Sequence, residues 1–232
     1  MKFSRIIAVF GLLATVMEAS AQLQPTAVYY EADGTEVRKT ENFEANAPLH
    51  VLFTVDTSAI DASAALEWHF SHTGAGGTSS ITRYGAETEY DFTESGLTIV
   101  ALYVKQGDEL VDSASIRVTI SESALEMPNA FSPNDDLIND FYQAKGNGKT
   151  KSIIEFHAYI FNRWGQKLYE WTDWTDEKKG WDGTYRGQPV KDGVYFVLVK
   201  ARGADGRTFD IKRDVNLMRK YNETTNGSTT NE

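Results

Sequence analysis

Apolar side chains recur at every second position in several stretches of this chain. Leu49, Val51, Phe53 and Val55 do so, then Ile116, Val118 and Ile120, then Ile154, Phe156, Ala158 and Ile160. A period of two places each set on one face of a β-strand. Leu97 to Val104 is instead a nearly continuous apolar run, which predicts a central strand buried on both faces. Val194 to Val199 is a second such run. β-branched and aromatic residues dominate all of these stretches. Between them stand turn signals: Gly74-Ala75-Gly76-Gly77, Glu94-Ser95-Gly96, Asp182-Gly183, Asp192-Gly193 and Asp205-Gly206. The helix candidate, Ala59–Ala65, is short and poorly amphipathic. Short strands at this spacing predict an all-β protein of two consecutive antiparallel β-sandwiches.

The first residues read differently. Lys2 and Arg5 precede the apolar run Ile6–Met17, and Ala19-Ser20-Ala21 follows. That run is too short for a membrane span of about 20 residues. Charge, apolar run and small residues in that order predict a cleaved signal peptide over residues 1–21, with Ala19 and Ala21 as the cleavage residues before Gln22. The chain has 0 cysteines. Disulfides, thiol nucleophiles and cysteine-ligated metals are therefore excluded. Residues 22–126 carry 5 basic and 17 acidic side chains, and residues 127–221 carry 16 basic and 13 acidic. The sign change coincides with the end of a strand at Ile120 and with Pro128, which divides the chain in two. The expected organisation is a sandwich over 22–122, a linker over 123–127, a second sandwich over 128–221 and a disordered tail over 222–232. The acidic excess argues against a nucleic-acid partner.

Two resemblances follow from the residues. Ala47–Phe53, Leu66-Glu67-Trp68-His69-Phe70, Thr88–Gly96 with the strand after it, and Ser115–Ile120 resemble PKD-like, immunoglobulin-type surface domains. Ser71-His72-Thr73 departs from that family's Gly-Asp-Gly, so the reading is an immunoglobulin-like sandwich with Trp68 in its core. Over residues 127–221 the chain resembles the type B C-terminal sorting domain of the Bacteroidetes type IX secretion system, also called the gliding-motility-associated C-terminal domain. Four ordered blocks carry the likeness: Pro128–Phe141, Ile160–Glu170, Gly180–Thr184 with Gly187–Val190, and Asp192–Phe196 with the terminal strand through Arg213 to Arg219. Its motif residues are Pro128, Asn129, Phe131, Pro133, Asn134, Asp136, Asn139 and Asp140 in the first block. Asn162, Arg163, Trp164 and Gly165 stand in the second, Trp181, Asp182 and Gly183 in the third, and Asp192, Gly193 and Tyr195 in the fourth. The resemblance implies export through the periplasm to the cell surface or beyond, with the type IX translocon and an outer-membrane shuttle or barrel protein as partners.

Most of these residues read as architecture, with Trp164 and Trp181 as core aromatics. Asn162–Gly165 reads as a turn between two strands. In the first block the family has glycine where Asp135 and Leu137 stand. The oxygens of Asn134, Asp136 and Asp140 then suit an Asx-turn better than a calcium loop. Lys212, Arg213 and Arg219, in the locally basic stretch Lys191–Lys220, are candidate translocon-docking residues.

The sequence contains no nucleophile elbow, phosphate loop or zinc helix. His69 and His72, three apart on a strand, face opposite sides. Trp171 and Trp174 near Asp173 and Asp176 could stack on a glycan or simply anchor a loop. Asp112-Ser113-Ala114 resembles a Bacteroidetes glycosylation tripeptide, which would need Ser113 on an exposed turn. The expectation is a non-enzymatic exported protein without cofactor or metal, its first sandwich a binding or structural module. The alternatives are an accessory subunit of the secretion or gliding apparatus and a glycan-binding surface protein.

Overall fold

The structure, a computed structural model, describes residues 23–31 and 33–219. The signal peptide, its cleavage residues Ala19 and Ala21, Lys220 and the tail lie outside the described residues. The strands of the first half are β1 (Pro25–Tyr30), β2 (Glu36–Lys39), β3 (Phe43–Ala45), β4 (Leu49–Val55), β5 (Ala65–Gly74), β6 (Gly77–Tyr84), β7 (Glu87–Phe92), β8 (Gly96–Gln106) and β9 (Glu109–Ile120). Those of the second half are β10 (Ala130–Phe131), β11 (Ile153–Phe161), β12 (Lys167–Trp171), β13 (Thr184–Tyr185), β14 (Gln188–Pro189), β15 (Gly193–Gly203) and β16 (Thr208–Leu217).

The first half forms two facing sheets, ordered β2-β1-β4-β7 and β3-β9-β8-β5-β6. Phe53 lies between them, with its ring 6.0 Å from Trp68 and 5.5 Å from Phe70. Trp68 is fully buried, and its indole N–H donates to the Gly85 carbonyl at 2.9 Å. The second half has one five-stranded sheet, β10-β16-β15-β11-β12. Its opposite layer is the β13–β14 hairpin plus irregular segments that carry Met127, Tyr142 and Trp181 into the core. Pairing is antiparallel throughout except β3–β9 and β10–β16.

Several expectations change. Leu97–Val104 is not buried on both faces: Thr98, Val100, Leu102 and Val104 point inward, while Leu97 and Ile99 are exposed. Among the described residues no second layer covers the outer face of this sheet, so the run behaves as an alternating strand. Val194–Val199 alternates likewise, with Tyr195, Val197 and Val199 inside. Ile154 leaves its stripe, because a register shift between Ile153 and Glu155 gives Ile153 to the second core. Ile154 packs against the first core instead. Ala59–Ala65 is no helix; it is a pair of turns closed by Ile60 N–H to the Thr57 carbonyl and Ala64 N–H to the Asp61 carbonyl. Ser113 is exposed but lies within β9 rather than on a turn. His69 and His72 do face opposite sides, His72 inward.

The two halves meet through a small set of close contacts. The Ser95 N–H donates to the Ala204 carbonyl at 3.0 Å, and Ala47 N–H to Ser152 Oγ at 3.3 Å. Ser121 Oγ lies 3.0 Å from Ser152 Oγ. Ala204, in the β15–β16 turn, belongs to the first core cluster. The stretch expected as a linker is pinned along its length. Ser123 Oγ donates to Asp205 Oδ1 at 2.6 Å, and Ser123 N–H to Asp205 Oδ2 at 3.2 Å. Ala124 and Lys151 exchange both backbone bonds, and Met127 is buried in the second core.

Candidate docking site

The quoted motif residues divide into an aromatic centre and an exposed tip. Phe131, Trp181 and Tyr195 come from three separate blocks and meet in the second core. The Trp181 ring lies 5.3 Å from Phe131 and 5.0 Å from Tyr195. Trp181 is fully buried as expected, and its Nε1–H donates to the Thr184 carbonyl at 2.7 Å. Asp182 Oδ1 accepts from Thr184 N–H and holds the turn. Gly183 has φ +77°, and a Cβ there would lie 2.9 Å from Pro133 Cγ and 2.9 Å from Arg219 Nη2. Only glycine fits both the conformation and the space. The Pro128 carbonyl accepts from the Tyr142 hydroxyl at 3.0 Å, and burial pushes that phenol's pKa well up. The Asn129 carbonyl accepts from Asn216 N–H.

The first-block loop is built around one carboxylate. Asp140 Oδ1 accepts from the N–H groups of Asn134 and Asp135, both at 2.9 Å, and Oδ2 from Leu137 N–H at 2.8 Å. Asn134 Oδ1 accepts from Asp136 N–H, and Asp136 Oδ1 from Ile138 N–H, which are Asx-type bonds. The Asn139 carbonyl accepts from Ser132 N–H. Asp135 and Leu137, at the family's glycine positions, have φ of 64° and 67°.

Trp164 is a correction: it is 77% exposed and no core residue. Asn162 Oδ1 accepts from Trp164 N–H and Gln166 N–H, both at 3.0 Å, and Gly165 takes φ +78°. The side chain between those two turn formers projects from the apex, with the Arg163 guanidinium 4.8 Å over its ring. The start of β15 stands beside it, where the Tyr195 hydroxyl donates to the Lys191 carbonyl at 2.6 Å. A cleft of about 520 Å³ opens between them, lined by Trp164, Leu168, Tyr185, Val190, Val194 and Phe196. Val194 and Phe196 stand out from the sheet, 51% and 46% exposed. Arg163, Lys191 and Asp192 are the charged residues of its lining, with Asp192 paired to Arg219, and the Arg186 guanidinium lies 5.2 Å over the Tyr185 ring.

The three candidate docking cations do not form one patch. Arg219 donates to the carbonyls of Gly183 and Val190 and pairs with Asp192, so it clamps the β13–β14 hairpin to the start of β15. Arg213 donates to the Met127 carbonyl at 2.8 Å. Lys212 is exposed, 3.7 Å from Asp210. The tryptophans expected either to bind glycan or to anchor a loop are engaged internally. Trp171 Nε1–H donates to Gln143 Oε1 and Trp174 Nε1–H to the Ile153 carbonyl. Sequence reasoning missed Tyr185, Val194 and Phe196; the Asn-x-x-Gly frame around Trp164 was the signal that an aromatic there points outward.

Residues 125–212 match the model of the CHU_C type IX secretion signal domain. Residues 125–212 thus correspond to a type IX secretion signal domain, which implies export to the cell surface or the extracellular space. It also implies an interaction with the type IX machinery. Among solved structures, a tetra-tandem repeat from the extending region of a large adhesion protein is 13% identical, covers 85% of this chain and 67% of that one, and has a TM-score of 0.26. The chicken CNTN1 FN1-FN3 domains are 9% identical over 80% of this chain and 75% of that one, TM-score 0.23. Dimeric latent PorU from Porphyromonas gingivalis is 12% identical over 84% of this chain and 20% of that one, TM-score 0.23. Likenesses at these scores carry no argument. No curated protein matches the sequence.

Proposed function

We propose that this is a non-enzymatic exported protein whose signal domain, residues 128–221, is read by the type IX translocon and its outer-membrane shuttle at the Trp164 tip. Residues 22–122 are then the exported cargo, a binding or structural module. The observation that carries the docking assignment is Trp164 itself. A large aromatic is 77% exposed on a turn held by five hydrogen bonds that involve Asn162 or Gln166. A side chain that contributes nothing to the core, held on a bonded turn beside a cleft with apolar walls, has the make-up of an interface anchor. Arg163 and Lys191 at the cleft, with Asp192 already paired to Arg219, favour a partner surface that carries acidic groups beside an apolar knob.

The non-enzymatic reading is supported by what two carboxylates in another groove do. Asp56 and Asp61 line a groove of the first sandwich, and each holds its own turn by accepting from Ser58 N–H and Ser63 N–H. Those turn bonds pull both carboxyl pKa values down. Such groups stay ionised at neutral pH and are poor proton donors.

The test is export of the full chain carrying Trp164→Ala or Arg163→Glu in a type IX-competent host. Both substitutions are expected to leave the melting temperature of the purified protein within about 2 °C, since surface changes cost little. Export is expected to fall by about tenfold or more, as for loss of an interface anchor. Unchanged export in both would overturn the docking assignment.

A further inference from the structure

The junction between the two sandwiches has the build of a packed interface. Ser152 sits at its centre, fully buried with φ +51°, and is shared by Ala47 N–H and Ser121 Oγ. Its carbonyl accepts from Ala204 N–H at 2.9 Å, and the Ala204 carbonyl accepts in turn from Ser95 N–H across the boundary. Ile154 and Ala204, from the second half, lie against the core of the first. On the far side of the connecting segment Asp205 holds Ser123 with both carboxylate oxygens. Gly203 lies so close to Ser123 that a Cβ on it would come within 2.1 Å of Ser123 Oγ. Four of the six residues from Ser121 to Glu126 are held through their backbone: Ser121 to Ala45, Ser123 to Asp205, Ala124 to Lys151, and Glu126 to Thr150 and Lys145.

A protease must draw a segment out of such pairing before it can cut, so cleavage follows the population of a locally opened state. Here opening 121–127 also withdraws Met127 from the second core and breaks the bonds to Ala45, Asp205 and Lys151. We infer that the signal domain is not cut from its cargo at this junction, and that both sandwiches are exported and persist outside as one covalent, rigid body. Only the cellular part of this inference rests on the type IX reading.

Two measurements test it. The full chain is exported from a type IX-competent host, and its intact mass and peptides are read from surface and medium fractions. Peptides from β11 and β15 are expected in equal amount to those from β5 and β8. An exported molecule ending between residues 121 and 127 would overturn the inference. The purified chain is also treated with thermolysin beside an otherwise identical chain carrying ten Gly/Ser residues after Glu122. The inserted chain is expected to be cut at the junction at least about tenfold faster. Asp205→Ala should fall between the two, with tryptophan emission confirming that both cores remain folded. Equal cutting of the native and inserted chains within 121–127 would overturn the rigid junction whether or not the protein is exported.

Discussion

Leu137 holds an unusual pair of properties: its side chain is 93% exposed, and its backbone is left-handed. A side chain in that region pays a steric penalty of about 1–2 kcal/mol that glycine avoids. The loop tolerates it because Asp140 fixes the local backbone through three N–H groups. Leu137→Gly is therefore expected to raise stability by about 1 kcal/mol, less the extra entropy glycine brings to the unfolded chain. The midpoint of urea unfolding reads this directly, and a lowered midpoint would reject the strain. Trp164 and Trp181 show what was legible at this scale. Composition makes them equivalent core residues. Their neighbours separate them, since Trp164 stands between Asn162 and Gly165 at an apex while Trp181 enters an isolated bridge with Tyr142. A large aromatic reads as buried until its turn geometry is weighed.

Among the elements, β15 forms one wall of the cleft beside Trp164, and β16 backs it. They pair over ten residues, and Arg219 just beyond β16 reaches back to Gly183, Val190 and Asp192. Charge-assisted bonds of this kind contribute about 1.5–3 kcal/mol each when partly buried. Arg219→Ala is expected to lower the melting temperature and export together, because the cleft wall at Val190 loses its clamp. Lys212→Glu is expected to leave both unchanged. Loss of export in Lys212→Glu with an intact fold would return docking to the basic strand. The periodic strands were readable from period-two patterning: β4 and the inner end of β9 follow it residue for residue. Two features were not. The bulge that hands Ile154 to the first core depends on contacts more than 100 residues away from Ala47. The apolar run of β8 looked doubly buried because nothing local says that no layer covers its outer face.

For the whole molecule, Asp205 at the junction contributes to the response to acid. Burial alone would raise the pKa of Asp205, but its bonds from Ser123 and Arg207 outweigh that and hold the carboxyl below the ordinary carboxylate value. A folded-state pKa below the unfolded one means that the stabilisation is fully present above the unfolded value and is lost as pH falls through the folded one. Asp205→Asn should therefore unfold at lower denaturant than the native chain at pH 7, and the gap should shrink as pH drops from about 5 to about 3. A gap independent of pH would show that the charge of Asp205 does not act at the junction.

Trp68, Trp171 and Trp181 are buried and Trp174 is partly so, which leaves Trp164 as the indole most open to water. Its fluorescence should therefore lie at longer wavelength than that of the others and be the part of the emission that iodide quenches. The apex that makes the tip available to a partner thus doubles as an intrinsic optical probe. A partner seated over it would shift that light to the blue and shield it from the quencher, reporting occupancy without any attached label.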